Sequence, residues 1–330
     1  YYYIHNARVT VEYIDKITGE MLDEKVNIDV DGDGEYDRTD KKDSITEVYI
    51  VDSGNTEVDG EYILETLDEY FKFSNIEYKV KAIINTHAHA DHCGGNAIIQ
   101  KNTQCEVWAS HFEKGSLENP NYHTSILWGA IAPKEIDTIY YRPEPCTFTK
   151  SFCENDEFLL SNGTKISYVH LPGHSFESYG ILCTSTDGKN TLFAGDAIFP
   201  RTEIGKFNLP FTLDYSKFLD SLDKIGQIEN LEWCIPGHGD FVSKNIHETI
   251  EINKISIYEI EICIMRLFKL NNKMSTDLVV KEVADAFDLK MNVRQYSLIH
   301  FTIKCFLTTL RNNGSLKMEI SDNILYWKTK

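Results

Sequence analysis

The chain lacks any run of 18 or more apolar residues among its 330, so no membrane-spanning helix is expected. It also lacks a Cys-x-x-Cys pair, although it holds eight cysteines, and this argues against a structural zinc knuckle. Cys183, Cys234, Cys263 and Cys305 sit in apolar stretches and read as small buried hydrophobes. Cys146 and Cys153 flank a short strand-like segment, the one place where a disulfide is considered. Basic residues are few: 33 Lys and Arg stand against 51 Asp and Glu, for a net charge of −18. No dense basic stripe compensates, so phosphate backbones are repelled and nucleic acid is not an expected partner. The chain opens at Tyr1 with no basic-then-apolar leader. A cytoplasmic setting is the first expectation, and a homodimer is left open.

What is present suits a globular enzyme. Apolar residues make up 42% and charged residues 25% of the chain, close to the globular norm. The length allows a large core and more than one domain.

The most informative segment is Thr86-His87-Ala88-His89-Ala90-Asp91-His92-Cys93-Gly94-Gly95-Asn96. Three imidazoles and a carboxylate fall within six positions, after the strand-like run Ala82–Asn85 and before a Gly-Gly break. Such clusters hold metals, and imidazole with carboxylate suits zinc or iron better than calcium. Cys93 is expected to pack behind the site. Three later elements each bring one more donor: His174 in Leu171-Pro172-Gly173-His174, Asp196 in Leu192–Asp196, and His238 in Ile235-Pro236-Gly237-His238. In each, a short apolar stretch ends at or just before a turn residue and a single donor, as when a ligand hangs from the end of a buried strand. Ser175 reads as a turn hydroxyl.

With these residues the chain resembles the metallo-β-lactamase superfamily. The match runs through His87, His89, Asp91, His92, His174, Asp196 and His238 in order, and takes in Asp52-Ser53-Gly54 after the strand Val48–Val51. The resemblance covers roughly residues 45 to 240. It implies an α/β fold, the αββα sandwich of two sheets between helices, with the metals at one edge. It further implies that His87, His89 and His174 bind a first metal, that Asp91, His92 and His238 bind a second, and that Asp196 bridges them. The expected cofactors are two zinc ions, with iron or manganese as alternatives. His89 stands where the redox-active diiron branch has an acid, which favours hydrolysis. The implied activity is attack by a hydroxide shared between the metals on a small ester, thioester or lactone, with Asp91 as the catalytic carboxylate. A phosphodiesterase or endoribonuclease is the alternative chemistry. A non-catalytic metal-binding sensor is the alternative class, disfavoured by seven intact donors.

The same motif with Gly205-Lys206-Phe207 is also similar to the hydroxyacylglutathione hydrolases, but their C-terminal basic residues have no counterpart here, so glutathione is not assigned. Phe199, Arg201, Lys206, Phe207 and Phe211 are expected to line one pocket wall and to suit an acidic or amphipathic small molecule.

Helical spacing predicts helices over 245–270, up to Phe287, and over 293–310, followed by a hairpin at 316–327. This order resembles the winged-helix-like extension of one branch of the superfamily, giving a catalytic domain at 1–244 and a C-terminal domain at 245–330 that packs on it as a cap. Within the first, residues 29–40 form an acidic insertion. Asp29, Asp31, Asp33, Asp37 and Asp40 fall at or about the calcium-ligand positions of an EF-hand loop, with Gly34 at the sharp turn. Calcium and a plain solvated hairpin tip are both open readings, and calcium would point to an extracytoplasmic setting.

Overall fold

A computed structural model describes residues 8–9, 45–207, 209–242 and 245–330, without side chains at 8–9 and 205–207. The acidic loop with Asp29, Asp31, Asp33, Asp37 and Asp40 lies outside the described residues.

Two sheets carry the site. The first has strand order β1-β2-β3-β4-β5: β1 (Arg8–Val9), β2 (Thr46–Val51), β3 (Tyr78–Ile84), β4 (Glu106–Ser110) and β5 (Lys150–Phe152). Strands β2 to β5 run parallel, and β1 pairs antiparallel with β2. Successive side chains on a strand point to opposite faces. Accordingly Val48 and Ile50 face a helical layer, while Tyr49 and Val51 face the second sheet.

The helical layer is α1 (Glu57–Ser74), the short α2 (Ala90–Cys93) and α3 (Asn96–Thr103). Helix α1 buries Gly60, Ile63, Leu67 and Phe71 on one stripe and starts with a Thr56/Asp59 capping box. It ends at Asn75, which takes the left-handed conformation at φ 53°. Two short helices, α4 (Lys114–Glu118) and α5 (Asn121–Trp128), follow β4.

The second sheet has order β10-β9-β8-β7-β6, from β6 (Glu157–Leu159), β7 (Lys165–His170), β8 (Tyr179–Thr184), β9 (Asn190–Gly195) and β10 (Leu231–Pro236). Its inner face adds Ile166, Tyr168, Ile181 and Phe193 to Tyr49, Ala82, Ile84 and Trp108, which makes the core between the sheets. Its outer face, with Leu192 and Cys234, meets Phe218, Leu222 and Ile225 of α7 (Tyr215–Gly226). Helix α6 (Arg201–Phe207) precedes α7. Asp214 caps α7 by accepting from the amides of Ser216 at 3.0 Å and Lys217 at 3.3 Å. The layers are therefore helix, sheet, sheet, helix.

The remaining chain forms α8 (Ile246–Leu270), β11 (Met274–Ser275), α9 (Thr276–Ala286), α10 (Val293–Asn312), β12 (Leu316–Ser321) and β13 (Ile324–Thr329). The strands form an antiparallel sheet in order β11-β13-β12. Ile257, Ile260, Ile264, Val283, Ile303 and Phe306 join the same apolar cluster as Leu192, Phe218 and Leu222. One core thus runs from the second sheet into the C-terminal helices. No described helix is long and apolar enough to cross a membrane. The eight cysteines are free; Cys146 is buried while Cys153 is exposed, so the pair considered for a disulfide is not bridged.

Candidate metal centre

Every sequence-predicted donor lies just beyond the C-terminal end of a strand, where loops leave the buried sheet edge. His87, His89, Asp91 and His92 follow β3, His174 follows β7, Asp196 follows β9, and His238 follows β10. The structure brings all seven together in three overlapping groups: His87, His89 and His174; His87, His92 and Asp196; Asp91, His92 and His238.

In the first group His89 Nδ1 is 3.0 Å from His87 Nε2 and 2.8 Å from His174 Nε2. Three ring nitrogens thus converge on one point. In the third, His238 Nε2 is 3.3 Å from Asp91 Oδ2. Asp196 stands between them: Oδ2 is 3.4 Å from His174 Nε2 and 3.2 Å from His238 Nε2, and Oδ1 is 3.2 Å from His92 Nε2.

The other ring nitrogens are held from behind. His92 Nδ1 donates to Asp52 Oδ2 at 2.8 Å, and His174 Nδ1 donates to the Phe211 carbonyl at 2.9 Å. Thr86 Oγ1 lies 3.1 Å from His87 Nδ1 while donating to Asp52 Oδ2 at 2.8 Å. Such outer partners fix which nitrogen faces a metal. Asp52 also accepts from the Thr86 amide at 2.8 Å and adopts φ 58°. It therefore locks the β2 turn to the histidine loop. Cys93 is buried and its thiol donates to the Ala88 and His89 carbonyls, so it packs behind the loop.

The donor set fits divalent metal ions. His92 Nε2 and Asp196 Oδ1 are buried and 3.2 Å apart without forming a hydrogen bond, a costly arrangement for two polar atoms that a cation held by both would relieve. Gly237 keeps the space open: a Cβ there would strike the Asp196 carboxylate and stand 2.6 Å from His92 Cε1. Burial opposes charge on His92, but Asp196 and Asp52 outweigh it and hold its pKa well above the ordinary value, whereas the rings of the first group are held neutral. Burial, then neighbouring imidazoles, holds His87 well below its ordinary pKa, and burial, then His174, does the same for His89. Burial also lowers His174, despite the Asp196 carboxylate. These rings are neutral, as ligation requires. Burial opposes charge on Asp196, but His238, His92 and His174 outweigh it and keep the carboxyl ionised. Burial likewise opposes charge on His238, and Asp196 and Asp91 lift it to about 10; cations in the site would replace that proton.

A cavity of about 1100 Å³ opens over His89, Asp91, His174, Asp196 and His238. Phe199 and Phe211 line it as expected. Arg201 does not: it is not among the lining residues, its side chain is 81% exposed, and it pairs with Glu248 at 3.9 Å. At the first turn of α6 the guanidinium points to solvent, and Glu203 and Ile204 of that helix face the cavity instead. The Lys206 and Phe207 side chains fall outside what is described.

Sequence reasoning missed two wall residues. Glu113, after β4, is buried and accepts from Ser175 Oγ at 3.3 Å and from the Ala88 amide. It ties the loop of His87 and His89 to the loop of His174, and burial raises its carboxyl to about 7. Ser175 is thus more than a turn hydroxyl. His123, on α5, is lowered to about 4, chiefly by burial. Its ring bonds the Ser116 backbone, stands 6.3 Å from the His89 ring, and leaves Nε2 buried without a partner. Neither lies in a motif, and only the path of 104–160 across the site brings them in.

Comparison with known proteins agrees with this geometry. The chain is 30% identical over 166 residues to a probable metallo-hydrolase of Methanocaldococcus jannaschii, covering 49% of this chain and 70% of that one. It is 24% identical over 195 residues to the hydroxyacylglutathione hydrolase GloC of Haemophilus influenzae, covering 59% and 81%. Among solved structures, a β-lactamase domain protein from Burkholderia ambifaria superposes with TM-score 0.66 at 16% identity, covering 86% of this chain and 83% of that one. A metallo-β-lactamase family protein from Thermus thermophilus gives 0.62 at 16% identity, covering 86% and 90%. Residues 46–238 match the metallo-beta-lactamase superfamily, and it is to this superfamily that the chain belongs.

Proposed function

We propose that the chain is a dinuclear zinc hydrolase acting on a carboxylic ester, thioester or lactone. The observation that carries this reading is the convergence of seven donors with Asp196 between two groups of three. Divalent ions held there would polarise a scissile carbonyl and bring the pKa of water towards neutrality.

The chain's own residues account for the rest. The Asp91 side chain is 34% exposed to the cavity. Burial works against its charge, but His92 and His238 hold its carboxyl well below the usual range. It therefore stands ionised, able to take a proton from attacking water and pass it to the leaving group. Thioester cleavage draws further support from GloC, whose name gives it a thioester substrate. Phosphodiesters are disfavoured by the acidic chain and by Glu203 and Asp288 in the wall.

Three experiments test the reading. Metal analysis after zinc loading should find about two equivalents, and less than about one rejects the site. Among thioester, lactone, phosphodiester and β-lactam substrates, the first two should be cleaved fastest. Asp196→Ala should lose at least one metal and on the order of a thousandfold in turnover; retention of most activity would reject the bridging role.

A further inference from the structure

We propose that the substrate carries a long apolar arm lying along α10, so that the C-terminal helix, and not only the metal-bearing loops, measures chain length. This rests on the ester, thioester or lactone reading above and names the substrate class within it.

Size is the first ground. The cavity, at about 1100 Å³, lies at or beyond the upper end of the usual range of roughly 300–1000 Å³ for small-molecule sites. A two- or three-carbon acyl group would leave most of it filled with water against apolar walls.

Direction is the second. The cavity runs from Asp91, His174 and His238 to Leu298, Ile299 and Phe301 of α10. Phe211 joins the two ends. Its carbonyl holds His174 at 2.9 Å and its ring stacks on Phe301 with centroids 5.0 Å apart. The far wall is anchored: Arg294 Nε, on the first turn of α10, donates to the Glu135 carbonyl at 2.8 Å. Phe112 and Phe176 also line the cavity and are 57% and 51% exposed, with rings 5.1 Å apart. Paired exposed rings lining a cavity mark an apolar contact in waiting.

Charge is the third. Beyond the metal donors the one Lys or Arg among the described lining residues is Lys290, two positions from Asp288. Arg201, the residue expected to draw an acidic substrate, faces solvent. A polyanionic leaving group finds a single Lys among the described lining residues, whereas a neutral chain meets Leu, Ile and Phe.

The test uses the full zinc-loaded chain with 4-nitrophenyl esters from acetate to dodecanoate. Each buried methylene should raise kcat/KM up to about fourfold until the cavity is filled. Leu298→Trp, which narrows the channel, should move the plateau to shorter chains by two or more carbons and cut the decanoate-to-acetate ratio at least tenfold. A binding measurement independent of turnover uses calorimetry with 1-decanol and 1-butanol, expected to differ at least fiftyfold in affinity for the parent chain. Cleavage of the acetate ester with no chain-length dependence overturns the inference and leaves the hydrolase reading standing. Decanol binding no tighter than butanol also overturns it. No turnover of any ester, with decanol still binding at least fiftyfold tighter and Leu298→Trp weakening it, supports the apolar-arm site and removes carboxylic esters from the reading, leaving thioesters and lactones.

Discussion

Glu113→Gln should change how stability depends on pH more than how stable the protein is at any one pH. Burial raises the Glu113 carboxyl from its ordinary 4.5 to about 7, against the hydrogen bonds from Ser175 and Ala88 that favour its charged form. The folded state therefore keeps a proton that the unfolded state releases near 4.5. Between those values the folded chain binds more protons, so stability falls as pH rises, and the loss is complete above about 7. The gap is worth about 3 kcal/mol, at about 1.36 kcal/mol per pKa unit. Glutamine keeps an acceptor for Ser175 and the Ala88 amide but cannot ionise. Urea denaturation of parent and variant at pH 5, 6, 7 and 8, at equal metal content, reads the difference directly. The variant should gain on the parent by up to about 3 kcal/mol from acid to alkaline pH. Parallel stability curves would mean that Glu113 titrates at its ordinary value and that its burial costs nothing.

Further outcomes follow from other positions. Gly237→Ala places a methyl against the Asp196 carboxylate and 2.6 Å from His92 Cε1, so metal content should fall by about one equivalent while circular dichroism shows the fold intact; full metal occupancy would refute the close-approach argument. Arg201→Ala removes a side chain that is 81% exposed and should leave melting temperature within about a degree and ester turnover within about twofold; a large rise in KM would return Arg201 to the substrate wall. If the acidic loop holds calcium, melting temperature should rise with millimolar calcium, and the rise should vanish in Asp31→Asn/Asp33→Asn; indifference of the parent to calcium leaves the loop an ordinary solvated turn.

The donor identities were legible in the chain because ligation chemistry is written in residue type and local spacing. His87, His89, Asp91 and His92 need only one loop to act together, and His174, Asp196 and His238 announce themselves as single donors after apolar strands. The elements were legible for the same local reason: apolar spacing predicts helices over 245–270 and 293–310, they form over 246–270 and 293–312, and that spacing acts over one or two turns.

Only the tertiary structure decided which side chains share the cavity. Arg201 and Phe199 are two residues apart, yet one faces solvent and the other stacks on His238, because α6 begins at Arg201. Glu113 and His123 carry no motif and enter the site through the course of 104–160 over the sheet edge. Asp52 sits in a recognisable turn, but its hold on His92 and Thr86 spans 40 and 34 positions. The reach of the cavity to Leu298 and Phe301 joins that helix to metal-bearing loops far away in the chain. Local pattern sets what each segment is and which donors it carries. Burial against distant segments sets what each donor faces, and no local pattern encodes that.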